Sequence, residues 1–299
     1  MGTLAEPLDL AITFRDVELI ERIEDPEHRL EIWRHPKLGQ ILSIDGEVQH
    51  VEAWQALYHE PLVHVPAAFV PRVETVLILG GGSLFAASQA LQYPTLVSCI
   101  LVDHNPKVLA LVERNYAHAR RVRNDIRFKF VERDIAAFLT DDVRTFDLVV
   151  NDGIDTVPGQ DGKDVGVHAL MQRHLNPGGV CADVIYRHVF EIEHGRFVRS
   201  VLESLGTYAL APIVVPEYPG TLHLLTMWGN SGLSQDLVEP INVVQREWCV
   251  SKNAHLAFYD PRYLKFSLFL PPYLRCVWDT YPMNVRRNPN SCDGEVSSS

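Results

Sequence analysis

The sequence of 299 residues lacks the cysteine patterns that indicate a disulfide framework or a structural zinc site. Its five cysteines are odd in number and scattered, and none forms a C-x-x-C pair. Cys99 and Cys181 stand in apolar runs, which favours a place in the core. The thirteen histidines contain no HExxH or comparable spacing, and His168 and His174 are spaced for different faces of a helix. We therefore predict no metal site.

Long apolar runs and an excess of basic charge are also missing. No apolar run approaches the length of a bilayer-spanning helix, and the N-terminus has no basic region followed by an apolar one. We therefore expect a cytoplasmic protein with no membrane partner. The formal net charge of −11 disfavours a nucleic-acid partner, because proteins that bind nucleic acids carry a basic footprint. A chain of this length can bury a substantial core.

What the sequence does contain is a change of pattern near residue 69. The part before it is β-rich, with a hairpin at Asp45-Gly46 and a helical segment that closes the region. From there, strands rich in Val, Ile and Leu alternate with helices such as 106–120, which is typical of a parallel sheet covered on both faces. The last two strands suggest an antiparallel edge hairpin. The predicted strands of this part are 75–80, 97–103, 127–134, 146–152, 178–186, 208–215 and 221–228.

We therefore predict an α/β protein in three parts. Residues 1–68 form an N-terminal β-strand domain, residues 69–283 form a doubly wound, Rossmann-like nucleoside-binding domain, and the polar residues 284–299 form a disordered tail.

Polar residues stand where the predicted strands end. Gly80, Gly81 and Gly82 follow one strand, Asp103 ends the next, and Asp134 ends the third. Glycines allow close approach to the backbone, and an acid about 20 residues further on can accept hydrogen bonds from both ribose hydroxyls. A dinucleotide site would have a third glycine where Phe85 stands. Each feature alone also suits a tight turn or a helix cap, but together they predict an adenosine site without phosphates, which S-adenosyl compounds fit.

Seven segments that span roughly residues 30 to 275 carry a family pattern. They are "LGQILSIDGEVQHVEAWQALYHEPLVHVP", "VLILGGG", "LVDHNPKV", "VERDIAAFL", "FDLVVNDGIDTVPG", "VPEYPG" and "NAHLAFYDPRYLKFSLFLPPYLR". This ordered set resembles the spermidine synthase (polyamine aminopropyltransferase) family. The resemblance implies a small β-domain over a catalytic domain of S-adenosylmethionine-dependent methyltransferase topology, and a homodimer, since family members commonly dimerise.

The resemblance also implies roles for individual residues. The nucleoside would be held by Gln49, Asp103, Asp134 and the turn of Gly80, Gly82 and Ser83. The amine would be bound by Tyr58, His59, Asp152, Asp155, Glu217 and Tyr218.

The chemistry of such a site accounts for these residue types. A sulfonium donor is already activated, because its leaving group is a neutral thioether and no metal is required. An alkylamine has a pKa of about 10 and arrives protonated, so a carboxylate beside the nitrogen can take its proton. Asp152 is the candidate for that task, with Tyr58 assisting and Asp155 binding the cationic amine.

The sequence departs from the family pattern at the glycine turn and on the acceptor side. The family has Asp and then Gly after the three glycines, where this chain has Ser83 and Leu84. With the neutral hydroxyl of Ser83 in place of Asp, the protein loses a charge-assisted hydrogen bond to the donor's aminopropyl ammonium, which is worth about 1.5 to 3 kcal/mol. The change also removes the repulsion between two carboxylates, so that ordinary S-adenosylmethionine can bind. Asp183 and Glu217 either add negative charge around the amine or are solvated loop acids.

Three hypotheses follow. The first is transfer of an aminopropyl group from decarboxylated S-adenosylmethionine to an amine, with release of 5'-methylthioadenosine. The second is transfer of a methyl or aminocarboxypropyl group from S-adenosylmethionine on the same fold. The third is a nucleoside-binding protein without catalysis, which the presence of Tyr58 and Asp152 disfavours.

Overall fold

The computed structural model describes residues 2–5, 12–24, 26–153, 165–185, 199, 202–218, 223–229, 233, 241–250, 253–270 and 272. Asp155 and the predicted tail over 284–299 lie outside the described residues.

The N-terminal part folds as an antiparallel sheet of five strands in the order β1 to β5. The strands are β1 (Gly2–Ala5), β2 (Thr13–Glu24), β3 (Arg29–His35), β4 (Gly39–Ile44) and β5 (Glu47–Val51). The predicted hairpin is confirmed, since Asp45 and Gly46 have φ of 54° and 89° and form the two-residue turn between β4 and β5. A 3₁₀ turn (Glu52–Trp54) and helix α1 (Gln55–Ala67) follow, as the sequence predicts.

The two faces of this sheet bury different sets of apolar side chains. One face forms a small cluster of Phe14, Val17, Ile41, Val48 and Val51. The other face contributes Leu30, Ile32 and Leu42 to the main hydrophobic core. The antiparallel sheet is therefore seated on the α/β part by a shared core.

The α/β part is built on a sheet of seven strands in the order β11-β12-β10-β9-β6-β7-β8. The strands are β6 (Thr75–Gly80), β7 (Ser98–Asp103), β8 (Phe128–Glu132), β9 (Phe146–Asp152), β10 (Leu175–Ile185), β11 (Tyr208–Ile213) and β12 (His223–Gly229). The helices are α2 (Phe85–Ala90), α3 (Pro106–Asn115), α4 (Ala117–Asn124), α5 (Ile135–Asp141), α6 (Val165–Arg173), α7 (Val243–Val250) and α8 (Leu264–Ser267). Strands β6 to β10 are parallel, whereas β12 is antiparallel to both β10 and β11, which confirms the predicted edge hairpin.

The continuous apolar strands are explained by burial on both faces of the sheet. In β6, Val76 and Ile78 belong to one core cluster, whereas Leu77 and Leu79 belong to the other. A strand that is covered on both sides needs apolar side chains at every position. The α/β fold predicted from the sequence, with a β-rich N-terminal part, is confirmed.

One predicted helix differs. The segment 106–120 forms two helices, because Tyr116 adopts extended backbone (φ −116°, ψ 131°) between α3 and α4 and buries its ring. The sequence pattern continues across this break and gives no sign of it. The division into domains at residue 68 stays a prediction. Within the described part of the chain, no helix is long and apolar enough to cross a bilayer.

Candidate active site

The candidate site lies where the strand order of the main sheet reverses, with β6 between β7 and β9. In doubly wound sheets, ligands bind at the carboxyl ends of the strands beside such a switch point. Three residues predicted for the site end these strands: Gly80 ends β6, Asp103 ends β7 and Asp152 ends β9. The topology therefore brings the predicted glycine turn and two predicted acids to one rim of the sheet.

The glycines after β6 let two backbone turns approach each other. Gly80 and Gly81 have φ of 74° and 75°, in the left-handed region that favours glycine. A Cβ on Gly80 would stand 2.8 Å from the Cα of Gly153, and one on Gly81 would stand 2.5 Å from Oδ2 of Asp152. A side chain on Gly80 would therefore displace the turn that carries Asp152, and one on Gly81 would displace the Asp152 carboxyl itself.

The glycine turn continues past the second acid, Asp103, into helix α2. A Cβ on Gly82 would stand 3.5 Å from Oδ2 of Asp103, so the turn passes between the two acids. Ser83 is half-buried, and its Oγ accepts a hydrogen bond of 3.4 Å from the backbone N–H of Phe85. Leu84 has φ of 63°, which strains a leucine, and full burial of its side chain offsets the strain.

Aromatic rings surround Phe85, beside the glycine turn. His118 stacks on Phe85 with ring centroids 3.8 Å apart, His50 meets it edge-on at 4.9 Å, and His59 lies at 5.2 Å. Tyr116 completes this Phe85 cluster at 6.0 Å. His118 is tied to the turn itself, since its Nε2 lies 2.9 Å from the carbonyl oxygen of Ser83. Sequence reasoning missed the cluster, because its members come from four separate segments.

The three histidines of the Phe85 cluster are uncharged at neutral pH. Burial lowers the pKa of His59 to about 3 and that of His118 to about 4. Burial also holds the pKa of His50 well below its ordinary value, and its neighbours His59 and His118 lower it further. The surroundings of Ser83 on this side are therefore aromatic and neutral.

Among the described acids of the site, Asp152 has the most strongly shifted pKa. Its side chain is only 4% exposed, and burial raises the pKa of its carboxyl to about 8, with the negative charge of Asp103 adding to the effect. Oδ1 lies 3.8 Å from Nε2 of His59, and Oδ2 has no hydrogen-bond partner among the described residues. At pH 7 the contact with His59 joins two neutral groups and is not an ion pair. A carboxyl with a pKa near the working pH is suited to proton transfer.

Helix α1 supplies Tyr58 and His59 and anchors the segment after α7. The half-buried ring of Tyr58 packs edge-on against His59 at 4.8 Å, and His59 Nδ1 lies 3.0 Å from the carbonyl oxygen of Gln55. The next residue, Glu60, is buried, and its carboxylate accepts hydrogen bonds of 2.7 to 2.8 Å from three successive backbone N–H groups at 257–259. The Tyr-His-Glu segment thus combines two residues predicted for the site with one structural acid.

The residues predicted to hold the nucleoside differ in their surroundings. Asp103 is mostly buried, and its Oδ1 accepts a hydrogen bond of 2.9 Å from the backbone N–H of Asn105. Asp134 is exposed and caps helix α5 by accepting from the N–H of Ala137 at 2.8 Å. Gln49 is exposed on β5. Asp103 therefore joins the glycine turn, whereas the roles of Asp134 and Gln49 stay predictions.

On the predicted acceptor side, Glu217 and Tyr218 follow β11. Glu217 is buried, and its Oε1 accepts a hydrogen bond of 3.0 Å from the backbone N–H of Val51, so it links this loop to the N-terminal sheet. The ring of Tyr218 lies 5.8 Å from that of His223. The interpretation of Glu217 as a solvated loop acid is therefore wrong, and its role toward an amine stays a prediction.

Asp183 is not a solvated acid either. Its side chain is 2% exposed on β10, and its two oxygens accept from Asn151 Nδ2 at 2.9 Å and from His168 Nε2 at 3.0 Å. Asn151 is the neighbour of Asp152 in the sequence, but the sequence gives no sign that His168 and Asp183 meet.

One group of described side chains could hold a metal ion. Ligand atoms of Glu27, His28 and His104 lie within 4.8 Å of one another at the surface. Their spacing along the sequence does not indicate this group. The absence of a metal site therefore stays a prediction.

Comparison with solved structures supports the same fold. The crystal structure of a spermidine synthase in complex with the transition state analogue AdoDATO superposes with a TM-score of 0.80. The match covers 93% of this chain and 95% of that chain at 19% sequence identity. The shared fold is the Rossmann-like methyltransferase fold with an N-terminal antiparallel sheet.

The family follows from the sequence match. Residues 55–236 match the spermine/spermidine synthase domain, and the chain belongs to this family. The putrescine N-methyltransferase 4 of Nicotiana tabacum is 29% identical over 247 residues, which are 80% of this chain and 64% of that protein. The polyamine aminopropyltransferase of Leptospira biflexa is 23% identical over 270 residues, 89% of this chain and 92% of that protein. The chain thus spans just under two thirds of the length of the tobacco enzyme.

Proposed function

We propose that this protein transfers an alkyl group from the sulfonium of an S-adenosylmethionine-type donor to the nitrogen of a small amine. The observation that carries the proposal is Asp152, a buried carboxyl with a pKa of about 8 that touches the glycine turn. In the reaction, the bond from the transferred carbon to sulfur breaks, and its electron pair stays on sulfur as a neutral thioether. The amine nitrogen bonds to the carbon, and the proton that the ammonium carried goes to Asp152 in its carboxylate form, which a pKa of about 8 leaves as a minor fraction at pH 7 and as about half at pH 8.

The proposal assigns the other predicted site residues to binding the donor or the amine. Asp103 binds the ribose hydroxyls, Asp134 and Gln49 bind the rest of the nucleoside, and the turn of Gly80, Gly82 and Ser83 contacts the donor. The amine is bound by Tyr58, His59, Asp155, Glu217 and Tyr218. Holding the nitrogen in line with carbon and sulfur supplies much of the rate.

We infer that the group transferred is methyl, from S-adenosylmethionine, which reverses the order of the two enzymatic hypotheses drawn from the sequence. Ser83 has no charge to bind the ammonium of an aminopropyl arm, and the Phe85 cluster beside it is neutral. The 29% identical relative from Nicotiana tabacum is named a putrescine N-methyltransferase, which supports the same choice.

Aminopropyl transfer is the second candidate. The Leptospira biflexa relative is named a polyamine aminopropyltransferase, and the match covers 92% of its length. Asp103 also places negative charge at the glycine turn, and Asp152 adds to it once deprotonated, so an aminopropyl ammonium could be bound there.

Product analysis tests the proposal. The protein is incubated with S-adenosylmethionine or with its decarboxylated form, each with putrescine and a panel of other small amines, and the products are identified by mass spectrometry. We expect S-adenosylhomocysteine and a methylated amine. Methylthioadenosine from the decarboxylated donor would assign aminopropyl transfer, and methylthioadenosine from S-adenosylmethionine would assign aminocarboxypropyl transfer. No product from either donor across the panel would contradict the proposal.

A cytoplasmic location and a homodimer belong to the same proposal. Both rest on likeness to the family and on the sequence composition, and size-exclusion chromatography with light scattering would test the dimer.

A further inference from the structure

Directly behind Asp152 lies a buried chain of hydrogen bonds that joins three elements. Asn151, at the end of β9, donates from Nδ2 to Oδ1 of Asp183 on β10 at 2.9 Å. The other oxygen of Asp183 lies 3.0 Å from Nε2 of His168 on α6. The side chain of Asp183 is 2% exposed and that of His168 is 0% exposed. Buried polar groups that are mutually bonded fix one another's orientation strongly.

The chain sets the orientation of the Asn151 amide. A carboxylate only accepts hydrogen bonds, so the NH₂ group of Asn151 must face Asp183. Its carbonyl oxygen Oδ1 consequently faces the other way and accepts from the backbone N–H of Gly153 at 3.4 Å. The hydrogen bond from Gly153 to Asn151 thereby closes a turn around the residue between the two, which is Asp152.

The turn that Asn151 closes is also wedged against the glycine turn. Gly153 packs on the backbone of Gly80, and a Cβ on either glycine would approach the other residue to 3.2 Å or less. The turn carrying Asp152 is thus held on one side by Gly80 and on the other by Asn151. Neither His168 nor Asp183 needs to reach the substrate to influence where the Asp152 carboxyl stands.

A second buried histidine shows how a purely structural one is bonded. The ring nitrogens of His174, just after α6, lie 2.7 and 3.0 Å from the backbone carbonyl oxygens of Arg144 and Leu139. Those bonds tie the end of α6 to helix α5 and to the loop after it, and both end on the backbone. The bond of His168 instead ends on an acid whose other oxygen orients the neighbour of Asp152.

We propose that His168 and Asp183 are positioning residues, which act through Asn151 to hold Asp152 against the glycine turn in the geometry that proton transfer requires. The catalytic reading of this proposal rests on the proposed function, because it takes Asp152 as the proton acceptor.

Matched variants of the two histidines test it. His168→Phe keeps the ring shape and removes the bond to Asp183, whereas His168→Gln retains a donor. Displacement of catalytic groups by about 1 Å costs on the order of 100-fold in rate, so we expect His168→Phe to lower kcat by up to that factor, with unchanged affinity for methylthioadenosine in calorimetry. His168→Gln is expected to recover part of the loss. His174→Phe removes the two backbone contacts of that histidine in the same way, and it is expected to lower Tm and to leave kcat unchanged below its melting temperature.

Asn151→Ala is the second test, because it interrupts the chain of hydrogen bonds and leaves the Asp183–His168 pair intact. It is expected to lower kcat as His168→Phe does. If His168→Phe fails to fold, this variant carries the test. Wild-type kcat in a folded Asn151→Ala protein, or an equal kcat loss in His174→Phe, would overturn the proposal.

Crystal structures separate this proposal from the proposed function. If the wild-type protein turns over no donor, the proposed function fails, and positioning is then judged by structure alone. An Asp152 carboxyl moved by about 1 Å in Asn151→Ala supports positioning, and an unmoved carboxyl refutes it.

Discussion

Replacing Asp152 by asparagine should make the protein inactive and should also change how its stability depends on pH. The carboxyl has an ordinary pKa of 3.8, and burial beside Asp103 raises the folded-state value to about 8. Between these two values the folded protein holds a proton that the unfolded chain releases. Stability therefore falls as pH rises through this window, because the folded state binds more protons than the unfolded state.

The size of the effect follows from the same two values. One pKa unit corresponds to about 1.36 kcal/mol, so between pH 5 and pH 8 the free energy of unfolding of the wild type should fall by about 4 kcal/mol relative to that of Asp152→Asn. The amide has no proton to lose over this range. The free energy of unfolding of the variant should thus rise relative to that of the wild type as pH rises. Its turnover should be lost and its affinity for methylthioadenosine kept.

Urea denaturation at several pH values measures this difference. Asp142→Asn is the matched control, because the hydrogen bonds from Arg144 hold the pKa of Asp142 below its ordinary value. The contribution of Asp142 is lost only in more acidic solution, so its variant should differ from the wild type by a constant amount between pH 5 and pH 8. Parallel stability curves for Asp152→Asn and the wild type would refute the raised pKa, and full turnover in that variant would remove Asp152 from the mechanism.

Three further changes test the glycine turn and the anchor that Glu60 provides for residues 257–259. Ser83→Asp should raise the preference for decarboxylated over ordinary S-adenosylmethionine by tenfold or more in calorimetry, since a charged hydrogen bond is worth about 1.5 to 3 kcal/mol; an unchanged ratio would show that the donor's charged end lies elsewhere. Gly81→Ala should lower both Tm and kcat, because its Cβ would stand 2.5 Å from Oδ2 of Asp152, and wild-type values for both would contradict the described contact. Glu60→Gln should speed amide hydrogen exchange at Phe258 and Tyr259, which donate to the Glu60 carboxylate, and unchanged exchange would mean that this anchor is unimportant.

Most of the fold could be predicted from the sequence, because its signals are local. Runs such as 76–79 and 148–150 are apolar at every position, as a strand covered on both faces requires. The Asp45-Gly46 pair fits a two-residue hairpin turn by its tolerance of positive φ. The break at Tyr116 was missed because a single extended residue does not interrupt the apolar pattern that α3 and α4 share.

In the candidate site, too, some features could be predicted from the sequence and others could not. Gly80, Asp103 and Asp152 could be predicted because parallel strands end at one rim, so their last residues are neighbours whatever the rest of the chain does. The partners of these residues could not. His168 and Asp183 meet across 15 positions, a contact that depends on how α6 packs on the sheet and leaves no periodic trace in the sequence.

A crystal structure with methylthioadenosine would show where the donor binds, because that molecule carries the adenosine and sulfur of both donors. We expect its ribose hydroxyls to lie on Asp103 and its sulfur at the turn of Gly80 to Gly82, facing Asp152. An empty cleft at high ligand concentration, or a nucleoside bound away from Asp103 and Asp152, would refute donor binding at this rim of the sheet.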